Sequence, residues 1–158
     1  MKLSELNVDN EAFIFTAMHI LANRFQTLGD RIDSEITTKQ WFVLAAVSKF
    51  TDRTPNIGDI ASLLGTSRQN IKKMAVILER RGYLSMQKNE KDLRNILLVL
   101  TELCLDYFKG REQQEDEYLQ RIFSDFDDEI LKMMRVGMGK LIENTDKLLE
   151  INEQGEWV

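Results

Sequence analysis

The chain has 158 residues, 43% of them apolar and 30% charged, with a net charge of −5 and a single cysteine, Cys104. That is one domain's worth of sequence with enough apolar surface for its own core, which excludes a disordered segment. One cysteine excludes an intrachain disulfide, so a reducing cytoplasm is the expected setting. No apolar run approaches the roughly 18 residues that cross a bilayer. The acidic Glu5, Asp9 and Glu11 ahead of the first apolar patch do not suit a signal peptide, and no membrane partner is expected.

The charge is unevenly spread. Residues 66–100 hold 8 basic and 3 acidic side chains, whereas residues 1–65 hold 6 and 8, and residues 101–158 hold 7 and 15. The net charge argues against a general nucleic-acid binder, and a basic middle between acidic ends is either a functional surface or a clustering of charges on a solvated face.

In chain order, Ile14, Met18, Leu21, Phe25, Leu28 and Ile32 step by alternating fours and threes, one apolar stripe over five helical turns. Phe13, Ala17 and Ile20 widen it beyond what one small core needs, so part of the stripe is expected to meet another chain. His19 on this helix stands alone, and is expected to be a partly buried polar residue rather than a metal ligand. Thr37 or Thr38 caps a second helix, with Trp41, Leu44, Ala45 and Val47 or Ser48 as its apolar face; Pro55 marks the break after it.

Asn56 is the N-cap expected for the next helix, with Asp59 near its positive end and Gly65 closing it. Ser67 or Thr66 caps the helix after that, which ends at Gly82. The segments "YLSMQK" and "RNILLVL" form a β-hairpin around the charged turn "NEKD". Thr101 caps a helix to about Ile122. Asp125 precedes a last helix whose stripe runs through Phe126, Ile130, Met133 or Met134, Leu141 and Leu148, spaced as a helix–helix seam.

Within residues 57–76, Ile60, Ala61, Leu64, Gly65, Ile71 and Met74 are spaced as a helix-turn-helix requires, with a small residue at the crossing and glycine in the turn. That leaves Arg68, Gln69, Asn70, Lys72, Lys73 and Val76 off the core side. Arg, Gln, Asn and Lys are the side chains that pair with base edges and phosphates in a major groove. A hairpin following at once makes a winged helix, whose tip can reach the flanking minor groove, where arginine is favoured. There is no phosphate-binding loop, dinucleotide motif or nucleophile elbow, so neither an enzyme nor a cofactor is expected.

The blocks "ITTKQWFVL", "NIGDIASLLGTSRQNIKKMAVILERRGYL" and "KDLRNILLVLT" resemble successive blocks of the MarR (multiple antibiotic resistance regulator) family of bacterial transcription factors, over about residues 10–150. The most specific part is Asp92-Leu93-Arg94 followed by Leu100-Thr101. The resemblance implies a mainly α fold with a small β-hairpin wing, a winged helix-turn-helix plus N- and C-terminal dimerisation helices. Residues 10–34 and 102–150 would form the dimer module, and residues 37–101 the DNA-binding region. The implied partners are a second copy of the chain, a pseudo-palindromic operator in double-stranded DNA and a small aromatic or anionic effector; the implied role is a signal-responsive repressor.

Carried over residue by residue, Ser67, Arg68, Gln69, Asn70, Lys72 and Lys73 on the recognition helix and Lys91 and Arg94 on the wing are candidate DNA contacts. Asp92 is the wing brace that orients Arg94 by pairing with a nearby arginine. Three features depart from the pattern: Leu93 where a basic residue is common, Cys104 where glycine is common, and the Lys72-Lys73 pair. Two alternatives stand beside this: a regulator switched by oxidation of Cys104, and a winged-helix protein-interaction module that does not bind DNA.

Overall fold

A computed structural model of the chain describes residues 7–33, 35–89 and 92–153; Lys91, one of the expected DNA contacts, lies outside the described residues. The elements are α1 (Asn10–Ile32), α2 (Thr38–Ser48), α3 (Ile57–Leu63), α4 (Arg68–Arg80), β1 (Leu84–Asn89), β2 (Asp92–Leu100), α5 (Glu102–Ile122) and α6 (Asp128–Glu153). The expected mainly α chain with one two-stranded antiparallel sheet is what forms. It divides into two compact units, residues 1–110 and 111–158, with the boundary inside α5.

In the first unit the core gathers around α2. Its start is a capping box: Thr37 Oγ1 accepts the Gln40 N–H at 3.3 Å, and Gln40 Oε1 accepts the Thr37 N–H at 3.0 Å. This satisfies Gln40, which is buried. The buried face is Val43, Leu44, Ala46 and Val47, whereas Trp41 and Ala45 are only half-buried. Leu44 and Val47 are buried as expected, and Val43 and Ala46 widen the face. The reason is that α1, α3, α4 and β2 all pack on α2, and a helix covered on several sides has no single apolar stripe to read. Ile60 and Ala61 of α3, Ile71, Ala75 and Leu78 of α4, and Leu84 and Leu98 of the hairpin complete the core. Each fully buried Ile or Leu among them contributes roughly 1.5–3 kcal/mol of transfer free energy.

The hairpin pairs Leu84 with Leu100 through Lys88 with Ile96, and the register shifts between Lys88 and Asn89. Both strands are anchored at their base. Pro55 O accepts the Leu98 N–H at 2.9 Å on the outer edge of β2, and Glu79 Oε1 accepts the Met86 N–H at 2.7 Å on the outer edge of β1. These bonds occupy backbone donors that an exposed sheet edge would otherwise offer. Thr101 caps α5 as expected: its Oγ1 accepts the Cys104 N–H at 3.2 Å and donates to Gly82 O at 2.6 Å.

The α1–α2 connection is held to this core by two phenols. Tyr83 donates to Glu35 and Tyr107 donates to Asp33, with the two rings edge to face at 5.1 Å. The Tyr83 phenol is pushed up to about 12, chiefly by its bond to Glu35 and then by burial. α1 contains no buried residue; Ile14, Leu21, Phe25 and Leu28 of its stripe are exposed, and Phe15 is 75% exposed. His19 is exposed rather than partly buried, within hydrogen-bonding distance of Asn23 at 3.3 Å.

In the second unit, α6 begins later than expected. Its cap is Asp127, whose Oδ1 accepts the Ile130 N–H at 2.8 Å. Phe126 lies before the helix with its ring edge-on to Phe123 at 5.5 Å. Met133, Ile142 and Leu149 on α6 are each more than half exposed.

Candidate nucleic-acid interface

The helix-turn-helix is set by short-range bonds. Asn56 Oδ1 accepts the N–H groups of Gly58 at 2.7 Å and Asp59 at 3.0 Å, and Asp59 Oδ2 accepts the Asn56 N–H at 2.8 Å. Arg53 then forks onto Asp59, with Nη1–Oδ2 at 2.6 Å and Nη2–Oδ1 at 2.8 Å, while its guanidinium lies 5.2 Å from the centre of the Phe50 ring. The Arg53 hydrogen bond holds the Asp59 carboxyl below its ordinary range. The turn needs left-handed backbone at Gly65, whose φ is +60°, and α4 ends before Gly82 at +83°.

Ser67 caps α4, its side chain accepting the Asn70 N–H at 3.2 Å. Ile71, Ala75 and Leu78 face the core, while Arg68, Gln69, Asn70, Lys72 and Lys73 are all exposed, as the spacing predicts. Val76 is half-buried instead of free. α4 has no acidic residue in its first turn. Cations at a helix N-terminus cost about 0.3–1 kcal/mol each against the dipole, so this placement favours a bound anion over helix stability.

Asp92 Oδ1 accepts the main-chain N–H of Arg94 at 3.1 Å. This local bond shapes the entry to β2 at the residue that the resemblance implies as the wing brace. α4 and the wing meet at a shallow hollow of about 540 Å³ lined by Arg68, Gln69 and Lys72 from α4, Asp92, Arg94, Asn95 and Ile96 from β2, and Asn56, Ile57 and Gly58 from the start of α3. α4 and the hairpin therefore present cations to one concavity. Ser67, Asn70 and Lys73 do not line it; Asn70 turns its side-chain amide back to Thr66 Oγ1 at 3.3 Å.

Sequence reasoning did not assign Asn56, Gly58 and Asn95 to this surface. Asn56 was legible only as a cap, and nothing in the local pattern announces that α3 begins beside β2.

Cys104 is fully buried, and burial pushes its thiol up to about 11. That environment suppresses the reactive thiolate and suits a packing residue. Among the described residues no group of three His, Cys, Asp or Glu side chains could hold a metal ion, and no helix is long and apolar enough to cross a membrane.

No family model matches the chain. A curated relative, the transcriptional activatory protein BadR of Rhodopseudomonas palustris, is 34% identical over 92 residues, 56% of this chain and 53% of that protein. The chain thus spans about half the length of the curated relative it matches. Among solved structures, a MarR/EmrR family regulator from Acinetobacter sp. ADP1 superposes with a TM-score of 0.77 at 15% identity, over 89% of this chain and 99% of that one. The Staphylococcus aureus MepR–DNA complex gives 0.75 at 17%, over 87% and 99%. The PcaV regulator of Streptomyces coelicolor with its natural ligand gives 0.74 at 19%, over 87% and 97%. The MarR resemblance carried by the motifs holds at the level of the fold.

Proposed function

We propose that this chain is a sequence-specific, non-enzymatic DNA-binding transcription regulator that acts as a homodimer. The observation that carries this is the convergence of Arg68, Gln69 and Lys72 of α4 with Arg94 and Asn95 of β2 on one hollow, in a chain that is otherwise acidic. α4 enters the major groove, where its exposed Gln and Asn side chains and its cations meet base edges and phosphates. The wing lies on the flanking minor groove, with Arg94 as its charged finger. The solved MepR–DNA complex supports this for a protein of the same fold.

The apolar faces left uncovered on α1 and α6 support residues 10–34 and 102–150 as the dimer module, with residues 37–101 holding the DNA. Two recognition helices then reach successive major grooves, roughly 34 Å apart. A small aromatic or anionic effector that prefers the wrongly spaced form lowers DNA affinity by that preference; PcaV, solved with its natural ligand, supports such a partner. The site of action is the cytoplasm, with the chromosome. Repression is the expected sign for an operator overlapping a promoter, whereas BadR is named an activator; operator position, not the fold, sets that sign.

The test is a titration of the full chain against labelled duplex from upstream of its own coding region, followed by sedimentation. The proposal requires salt-dependent binding, two chains per duplex and preference over a scrambled duplex. Equal affinity for the scrambled duplex, or none for either, would leave the protein-interaction module as the better account.

A further inference from the structure

Gly58 is the second residue of α3 and has no positive φ, so conformational freedom does not explain it. Glycine inside a helix also costs stability relative to alanine. What distinguishes the position is space. A Cβ placed there would lie 3.3 Å from Nε and 3.4 Å from Nη2 of Arg68, and 3.0 Å from Asn56 Oδ1. The guanidinium of Arg68 therefore lies across the bare backbone at the start of α3, ten residues away in sequence. It makes no ion pair among the described residues, so its N–H donors remain for a ligand. Gly58 and Arg68 both line the hollow shared with Lys72 and Arg94.

We infer that Gly58 is a positioning residue of the DNA interface: its missing side chain is the seat that holds Arg68 over the start of α3, aimed at the DNA phosphate lying between the recognition helix and the wing. This rests on the DNA-binding function proposed above. Arg68 acts from this seat as a backbone contact, and reading of bases falls to the α4 side chains beside it. A side chain at position 58 pushes the guanidinium off its seat and narrows the hollow, because the flexible far end of an arginine yields before the capped backbone of α3 does.

The experiment uses the full chain and the labelled upstream duplex. Gly58→Ala is expected to weaken binding about tenfold for each half-site, the equivalent of one charge-assisted hydrogen bond per chain, and Gly58→Leu to weaken it further. The new methyl also crowds the cap oxygen of Asn56 at 3.0 Å, which opposes the helix propensity of alanine. A melting temperature is therefore taken for each variant, and the comparison with Arg68→Ala separates a loosened cap from a displaced guanidinium. In an Arg68→Ala background the same glycine change should cost nothing more, because the side chain it displaces is gone. Wild-type affinity in Gly58→Ala, or an equal loss with and without Arg68, overturns the assignment.

A DNA-free measurement separates this from failure of the DNA-binding function itself. The Arg68 Nε–Hε resonance, assigned by its disappearance in Arg68→Ala, should shift in Gly58→Ala. An unchanged resonance overturns the seat even if no duplex is bound by the wild type.

Discussion

Replacing Arg94 by alanine removes one exposed cation from the wing edge of the hollow. The bond that shapes the wing there uses the main-chain N–H of Arg94, which alanine retains. Folding stability should therefore change by no more than about 0.5 kcal/mol. Binding should change much more. A hydrogen bond to a charged group contributes about 1.5–3 kcal/mol, which at 1.4 kcal/mol per decade is roughly ten- to a hundredfold in affinity for each half-site. In a homodimer on one duplex the change removes two cations, which should flatten the slope of log K against log salt by about 1.8, or 0.9 for each half-site. Arg94→Lys restores the charge but not the planar fork, so it should recover the salt slope and only part of the affinity. The assay is fluorescence anisotropy of labelled duplex at several salt concentrations, with thermal melts of each variant. If Arg94→Ala bound as tightly as the wild type, with the same slope, the wing would not touch DNA.

Leu98 is fully buried where β2 meets the core, so Leu98→Ala should cost about 2–5 kcal/mol, measured by urea unfolding at matched chain concentration. The Asp59 carboxyl is held below its ordinary value, first by Arg53. Its contribution to stability is therefore complete above the unfolded value near about 4 and is lost as pH falls through the lower folded value. Acid titration by circular dichroism should show the stability gap between wild type and Asp59→Asn closing below about pH 4; a gap constant down to acid would contradict the pairing. The buried Cys104 thiol, pushed up to about 11, should resist aromatic disulfide reagents at pH 8 until denaturant is added. Fast labelling of the folded chain, or loss of DNA binding on mild peroxide treatment that Cys104→Ser prevents, would revive the redox alternative.

The elements legible in the sequence were those fixed within three or four residues. Thr37, Asn56, Ser67 and Thr101 each cap the helix that follows because each side chain reaches a backbone donor two or three residues on. Gly65 and Gly82 mark turns because left-handed backbone is strained for other residues. The amphipathic period of α4 set apart its core face from Arg68, Gln69, Asn70, Lys72 and Lys73. The hairpin was legible because β-branched and apolar residues flank a charged turn, whereas the roles of Asp92 and Arg94 came only with the MarR resemblance.

Other features depend on which segments meet, and no local pattern encodes that. Val43 and Ala46 join Leu44 and Val47 in the buried face of α2 because neighbours cover several of its sides. The start of α6 moved to the Asp127 cap, since three closely spaced aspartates offer several capping choices and packing selects one. The burial of Cys104 was decided only once the core closed around it. The sequence by itself determined the starts of α2 to α5, the glycine turns and the exposed face of α4, because those rest on bonds between near neighbours. Only the tertiary structure decided that Gly58 would seat Arg68 and that Asn56, Arg68 and Arg94 would line one hollow, because that depends on β2 packing beside the start of α3, some forty residues away in the chain.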